Sequence, residues 1–311
     1  MSKVALVIIY NHQYNKNIDI LERIYNERFS NIYHLVPFYN GDKQNVIPIY
    51  ESSFYFQGYI SQGFKGYFKE EFCHYFFVAD DMVLNPLINE NNYKEHLRLT
   101  STTNFIPGFI PLHDAGNWDR VSEAYHWNLK QDGIEANGQL PNYEEALKKI
   151  HSLGLELKPL RFNQIYKLPK SLKGWLEPLI SRRAYSHIML IFKYLKSRLQ
   201  KKTYLLPYPI VGSYSDIFVI SADTIKLFCH YCGVFATTKL FVEIGLPTSL
   251  ILSAKEIVNE KDIKLQGKAL WNEEDYQVLN KYENSLIKLL DEFPVNHLYL
   301  HPIKLSKWKI K

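Results

Sequence analysis

Cysteine is scarce, with only Cys73, Cys229 and Cys232 among 311 residues. Three cysteines cannot build a disulfide framework, and the scarcity points to a reducing compartment. Cys229 and Cys232 form a single C-x-x-C, which lacks the second pair that a structural zinc needs. Their neighbours Leu227, Phe228 and Val234 read as a buried helix. Long apolar runs are missing too. The opening run Val4 to Tyr10 is far short of the roughly 18 residues of a membrane span, and no small-residue cleavage region follows it. It reads as a first buried strand, and the chain is expected in the cytoplasm. There is no G-x-G-x-x-G and no Walker A pattern, so dehydrogenase and P-loop readings lose their phosphate cradle. No internal repeat is present.

What is there is a globular composition. Apolar residues make up 46% and aromatic residues 15% of the chain, enough for a substantial core. The 23 tyrosines suit either ordinary packing or a carbohydrate site. The net charge of +5 is unevenly spread. Residues 167–202 hold Lys167, Lys170, Lys173, Arg182, Arg183, Lys193, Lys196, Arg198, Lys201 and Lys202 against the single acid Glu177, which is 10 − 1 = +9 and leaves 5 − 9 = −4 for the rest. Positive charge so localised favours one surface for an anionic partner over a nucleic-acid-coating protein.

Along the first hundred residues strand and helix patterns alternate. Val4–Tyr10 is followed by a helical pattern (Ile18, Leu21, Ile24, Tyr25, Phe29), the apolar runs Ile32–Phe38 and Val46–Tyr50, a helix over about 54–72, and the strand His74–Val78. This predicts an α/β fold with a mostly parallel central sheet flanked by helices. The middle region contains a helical stretch, Tyr143 to Leu153. It also contains an amphipathic pattern over 182–202, in which Ile188, Leu190, Ile191, Tyr194, Leu195 and Leu199 recur beside Lys193, Lys196 and Arg198, read as a basic helical insertion. Regular structure returns with a strand at 215–220 and helices near 222–232 and 236–244. Gly245 and Pro247 are read as closing the second of these helices. A helix over 273–293 and a short strand at 297–300 complete the chain. The expected organisation is 1–110 as a nucleotide-binding half, 111–210 as an acceptor-side region with the basic insertion, and 211–311 completing the first domain.

The segment His74 to Pro86, HYFFVADDMVLNP, carries the strongest chemical signal. A buried strand ending in adjacent carboxylates delivers negative charge to the carboxyl edge of a parallel sheet, where open α/β folds bind ligands. Hard cations such as Mg²⁺ or Mn²⁺ take oxygen ligands there and also grip substrate phosphates. The same Asp80-Asp81 pair would equally suit a solvated turn.

In its order of apolar strand, acids, apolar triplet and Pro, this segment resembles the D-x-D region of GT-A glycosyltransferases, with Ala79 standing where a third acid occurs. The resemblance implies a Rossmann-like GT-A fold and a divalent metal, with Asp81 as the metal-binding acid and Asp80 as the acid that contacts ribose or metal. The C-terminal run His301 to Trp308 (HPIKLSKW) is similar to the terminal element of some GT-A enzymes, notably the glycogenin-like retaining ones, without its Gly and Pro. That likeness implies His301 as a further metal ligand and Lys307 on the diphosphate, with Lys304 competing for it; the alternative is a structural His and a solvated basic tail.

By fold analogy the nucleotide pocket is expected from Tyr10-Asn11-His12-Gln13, Pro37-Phe38-Tyr39 and Glu51-Ser52. Tyr10 or Tyr39 would stack on a base, Asn11 would pair with its edge, and Lys65 would point toward the diphosphate. An inverting transferase also needs a general base near the acceptor hydroxyl, a part open to Asp119 in the Trp118-Asp119-Arg120 loop, to Asp216 and to Glu243. An ion pair with Lys239 is the alternative for Glu243. A retaining mechanism needs no such base. The function implied is transfer from a nucleotide-sugar, UDP-linked by preference, to a saccharide or lipid-linked glycan, with an anionic membrane surface met through 167–202 and no nucleic-acid partner. The rival readings are a sugar nucleotidyltransferase and a catalytically inactive nucleotide- or glycan-binding protein.

Overall fold

The computed structural model describes residues 3–116, 118–166 and 184–309. The greater part of the basic segment, 167–183, lies outside the described residues. Two compact units are formed, residues 1–109 with 213–311 (unit 1) and residues 110–212 (unit 2). The strands in chain order are β1 (Lys3–Ile9), β2 (Ile32–Pro37), β3 (Val46–Ile49), β4 (Phe72–Ala79), β5 (Val83–Leu84), β6 (Thr103–Phe105), β7 (Ile110–Pro111), β8 (Val211–Gly212), β9 (Ile217–Ser221), β10 (Glu256–Val258), β11 (Gln266–Ala269) and β12 (His297–His301). The helices are α1 (Asn15–Tyr25), α2 (Gln57–Tyr67), α3 (Tyr93–His96), α4 (Asp119–His126), α5 (Tyr143–Ser152), α6 (Phe162–Ile165), α7 (Ala184–Leu199), α8 (Ile225–Thr237), α9 (Val242–Ser253), α10 (Glu273–Gln277) and α11 (Leu286–Asp291).

Unit 1 is an α/β layer structure around a seven-stranded sheet of order β10-β6-β9-β4-β1-β2-β3. In β1, residues of one parity, Val4, Leu6 and Ile8, pack on α1 through Ile18, Leu21, Ile24 and Tyr25. The other parity, Ala5, Val7 and Ile9, faces a second core with Tyr59 and Ile60 of α2 and Phe228, Cys229 and Cys232 of α8. A strand covered by helices on both faces has no solvent side, which is why its sequence is continuously apolar.

The sheet is mixed rather than mostly parallel. Strands β1, β2, β3 and β4 run together, but β9 is antiparallel to both β4 and β6. The reason is where the chain enters: the Ala79 N–H donates to the Asp216 carbonyl at 2.9 Å, so β9 begins at the carboxyl end of β4 and runs back.

Two helix boundaries also differ from the sequence reading. Helix α9 runs through Gly245 and Pro247 instead of stopping there. Proline has no N–H for the carbonyl four residues back, which is that of Glu243. That carbonyl accepts the Ser213 N–H at 2.9 Å instead. The stretch 273–293 is broken into α10, a 3-10 turn and α11, because Glu283 and Asn284 both have left-handed backbones (φ 53° and 57°).

A smaller sheet, β11-β12-β5, shapes the carboxyl edge. Strand β5 follows directly on Asp80-Asp81-Met82. Its antiparallel register with β12, Leu84 opposite Tyr299 and Val83 opposite Leu300, carries His301 toward Asp81.

Unit 2 joins β7 and β8 antiparallel and gathers α4 to α7. Asp119 opens α4 and so lies in a helix rather than a loop. Among the described residues no helix is long and apolar enough to cross a membrane.

Candidate active site

Strand β4 ends in a tight turn, with Asp80 N–H donating to the Ile9 carbonyl at 2.9 Å and Met82 N–H to the Ala79 carbonyl at 3.2 Å. The two carboxylates therefore diverge. Asp80 turns inward and is 2% exposed. Its Oδ2 accepts from Asn17 Nδ2 at 3.2 Å, near the start of α1. Burial first, then the charge of Asp81, push its pKa up to about 7, against the Asn17 and Asn11 hydrogen bonds and the charge of His301. This corrects the expectation that Asp80 faces a ribose, because a carboxylate so covered supports the turn from behind.

Asp81 keeps 28% of its side chain open, and its Oδ1 lies 2.9 Å from His301 Nε2. Neither atom makes a hydrogen bond of good geometry, and both are buried. The other ring nitrogen, His301 Nδ1, lies 2.5 Å from the Tyr214 hydroxyl. The Tyr214 ring is held flat against Tyr299 (centroids 5.7 Å apart, planes within 5°) and edge-on to Trp271. Burial pulls the His301 pKa down, but the pairing with Asp81 and the charges of Asp216, Asp81 and Asp80 outweigh it and leave the imidazole raised. Asp216 is raised as well, chiefly by burial and then by the charge of Asp81, with His301 opposing. Three carboxylates thus share one imidazole at the carboxyl end of β4.

The donor set suits a hard divalent cation in part. The 2.9 Å between Asp81 Oδ1 and His301 Nε2 is the spacing of two neighbouring ligands about an octahedral ion with bonds of about 2.0–2.1 Å. A Tyr214 oxygen accepting from Nδ1–H would fix the tautomer that turns the Nε2 lone pair toward Asp81. Among the described residues no group of three or more His, Cys, Asp or Glu side chains stands in ligand geometry. Among the described residues, Asp81 and His301 are thus the two side chains that could hold such an ion. Such ions commonly complete their shell from water and substrate phosphates.

The remaining expected residues fall into three sets. Glu243, half-buried on the first turn of α9, acts electrostatically on Tyr214 and so belongs to the same neighbourhood as Asp216. Lys304 and Lys307 are exposed on the segment after β12, and Ile303 N–H of that segment donates to the Asp81 carbonyl at 2.6 Å. Asn11 turns its backbone N–H to Asp80. Tyr39 is half-buried, its hydroxyl accepting the Lys43 N–H at 3.2 Å.

Two expectations fail on geometry. Tyr10 is fully buried with its hydroxyl 2.9 Å from His34 Nδ1, so no ring face is left for a base. Lys65 sits in the last turn of α2, which runs from the carboxyl end of β3 back to the amino end of β4, and so lies toward the opposite edge of the sheet. Asp119 belongs to unit 2.

Tyr214 and Tyr50 are not singled out by the sequence, whereas Phe38, expected in the nucleotide pocket, forms an aromatic pair with Tyr50 at the ends of β2 and β3. Phe38 and Tyr50 are 60% and 65% exposed with ring centroids 5.7 Å apart. Gln13 Nε2 donates to the Phe38 carbonyl at 2.9 Å. No family model matches the chain, and no curated protein matches it in sequence.

Proposed function

We propose that the chain is a metal-dependent glycosyltransferase of GT-A type, moving a sugar from a nucleotide-sugar, UDP-linked by preference, to a saccharide or lipid-linked glycan. The observation that carries this reading is the 2.9 Å approach of Asp81 to His301, from distant parts of the chain, at the carboxyl edge of the central sheet. Asp81 and His301 would hold Mn²⁺ or Mg²⁺, and Tyr214 would orient the imidazole. When bound, such an ion offsets the negative charge that gathers on a departing diphosphate. Lys304 and Lys307 lie on the segment that passes Asp81 and are the nearest candidates for diphosphate oxygens. Phe38 and Tyr50 supply exposed ring faces for a nucleobase. Asp216, its pKa raised by burial, is the better candidate for a base on the acceptor hydroxyl, with Glu243 second.

Unit 2, taken by itself, carries a candidate membrane contact. Along α7, Ile188, Phe192, Leu195 and Leu199 form an exposed apolar stripe at spacings of four, three and four, with Lys196 and Arg198 on its flanks. That pattern suits a helix lying in the interface of an anionic membrane, such as the cytoplasmic face of a plasma membrane, with each cation contributing about 1 kcal/mol.

Isothermal titration with UDP tests the core of the reading. Binding that strengthens by about tenfold or more when Mn²⁺ is added supports it. Silence toward every nucleoside diphosphate, with and without metal, would instead favour a non-catalytic binding protein. Metal-linked binding of a nucleoside triphosphate together with a sugar 1-phosphate would favour a nucleotidyltransferase.

A further inference from the structure

Unit 2 encloses a cavity of about 870 Å³, within the range of small-molecule sites. One wall is a face of α7 and its C-terminal turn, where Tyr194, Ser197, Arg198 and Lys201 recur at helical spacing. The opposite side brings Arg161 and Trp118. Lys202 also lines the space, so among the described residues Arg161, Arg198, Lys201 and Lys202 face it against the single carboxylate of Asp119. All four cations are exposed and can reach a ligand, whereas Ser197 beneath them is buried.

The backbone at this wall ends as two other helices do, with a left-handed basic residue, Arg98 (φ 52°) after α3 and Lys239 (φ 58°) after α8. Helix α7 ends with Lys202 N–H on the Ser197 carbonyl at 2.8 Å and Lys201 N–H on the Arg198 carbonyl at 3.2 Å, the two bonds of a Schellman motif. The residue that must then turn left-handed is Lys201, at φ 48°. Glycine is the favoured residue at that position, because a side chain there is strained.

We propose that this cavity binds a saccharide bearing an oxyanion, phosphate or carboxylate. Arg161 and Arg198 supply planar forks for the oxyanion, Lys201 and Lys202 supply point charges, and Trp118 and Tyr194 supply aromatic lining for the sugar ring. The oxyanion half stands on the cavity alone, and the saccharide half rests on the transferase reading above.

The test is calorimetric titration of the full chain in EDTA, which silences cation-linked nucleotide binding. The probes are glucose 6-phosphate, glucuronate, inorganic phosphate, glucose and vesicles of anionic phospholipid. A charged sugar is expected to bind, glucose is not, and added salt weakens the binding. Lys201→Gly should weaken it by about threefold, and Lys201→Gly with Arg198→Gln by about tenfold or more. The melting temperature of Lys201→Gly should stay level or rise, because glycine relieves the left-handed turn.

Absence of binding by both charged sugars overturns the proposal, as does equal binding by wild type and the double variant. Inorganic phosphate binding as tightly as the sugar phosphate removes the saccharide half. Capture by anionic vesicles without any binding of soluble sugars overturns the proposal in favour of the outward apolar stripe. UDP titration with Mn²⁺ reports separately on unit 1, so a failure of the transferase reading is distinguishable from a failure of the cavity.

Discussion

Strand β4 has a histidine near one end and meets another beyond the opposite end, and the two live differently. His74, wholly buried, has both ring nitrogens partnered, Nδ1 2.9 Å from the Tyr93 hydroxyl and Nε2 3.1 Å from the Thr103 carbonyl. His301 is also buried, its Nδ1 meeting the Tyr214 hydroxyl, but its Nε2 has only the contact with Asp81 Oδ1 at 2.9 Å. A buried ion pair whose two atoms have no further partner carries a desolvation cost that is not fully offset, so it needs a reason. A closed histidine holds a fold together. One whose second nitrogen faces a carboxylate has the donor pair that the proposed cation would need.

Exchanging residues at the two ends should give opposite phenotypes. Asp81→Ala is expected to lower sugar transfer by about 10²–10³-fold or more while leaving the fold intact, because it removes a ligand of the cation proposed to offset the charge on the departing diphosphate. His74→Ala should act the other way. It deprives the Tyr93 hydroxyl and the Thr103 carbonyl of a partner and should lower stability by about 1–3 kcal/mol, with little change in rate per folded molecule. Urea denaturation and initial rates on both variants check this. A full-rate Asp81→Ala would mean that the chemistry happens elsewhere.

A third buried histidine tests the same distinction through pH. His34 lies in β2 with Nδ1 on the Tyr10 hydroxyl, and its Nε2, 3.7 Å from Glu22, has no hydrogen bond. Burial is the main cause pulling its pKa down to about 4, against the charge of Glu22, so the ring is neutral near pH 7 and the Glu22 contact is not an ion pair there. Between about 6.5 and about 4 the unfolded chain binds the proton and the folded one does not. Stability from this group is therefore complete above pH 6.5 and lost as pH falls toward 4, by about 3 kcal/mol in all. His34→Gln should remove that part of the pH dependence in denaturation curves. Parallel curves for variant and wild type would show that His34 takes its proton while folded.

The residues that could be read from sequence are those whose chemistry is set by local pattern. Asp81 follows an apolar strand, and α1 shows its apolar face at Ile18, Leu21, Ile24 and Tyr25, which the fold buries. What could not be read depends on partners distant in sequence. Pro247 looks like a helix stop until Ser213 takes up the carbonyl it strands. Tyr10 looks like a loop aromatic until His34 in the next strand accounts for its hydroxyl. The direction of β9, which brings Asp216 to the carboxyl edge, depends on where the chain returns from unit 2. Tyr50, the partner of Phe38, stands out only when exposure is known, since aromatic residues at strand ends are as often buried.

Tyr214 is the finest test of the difference between the two histidines. In Tyr214→Phe the ring can keep its stack on Tyr299 and its edge contact with Trp271, so packing is retained and only the hydroxyl at His301 Nδ1 is lost. Were His301 a closed structural residue like His74, the effect would be confined to stability, at about 1–3 kcal/mol for a stranded ring nitrogen. If His301 presents Nε2 to a cation, the hydroxyl fixes the ring and its tautomer, and removing it should weaken Mn²⁺ affinity by about 10–100-fold. Mn²⁺ titration followed by UDP binding, set beside the melting temperature, separates the two. A weakened cation site in a chain of nearly unchanged stability assigns the hydroxyl to orientation, because a purely structural contact would lower the melting temperature and leave the affinity of the remaining folded molecules as it was.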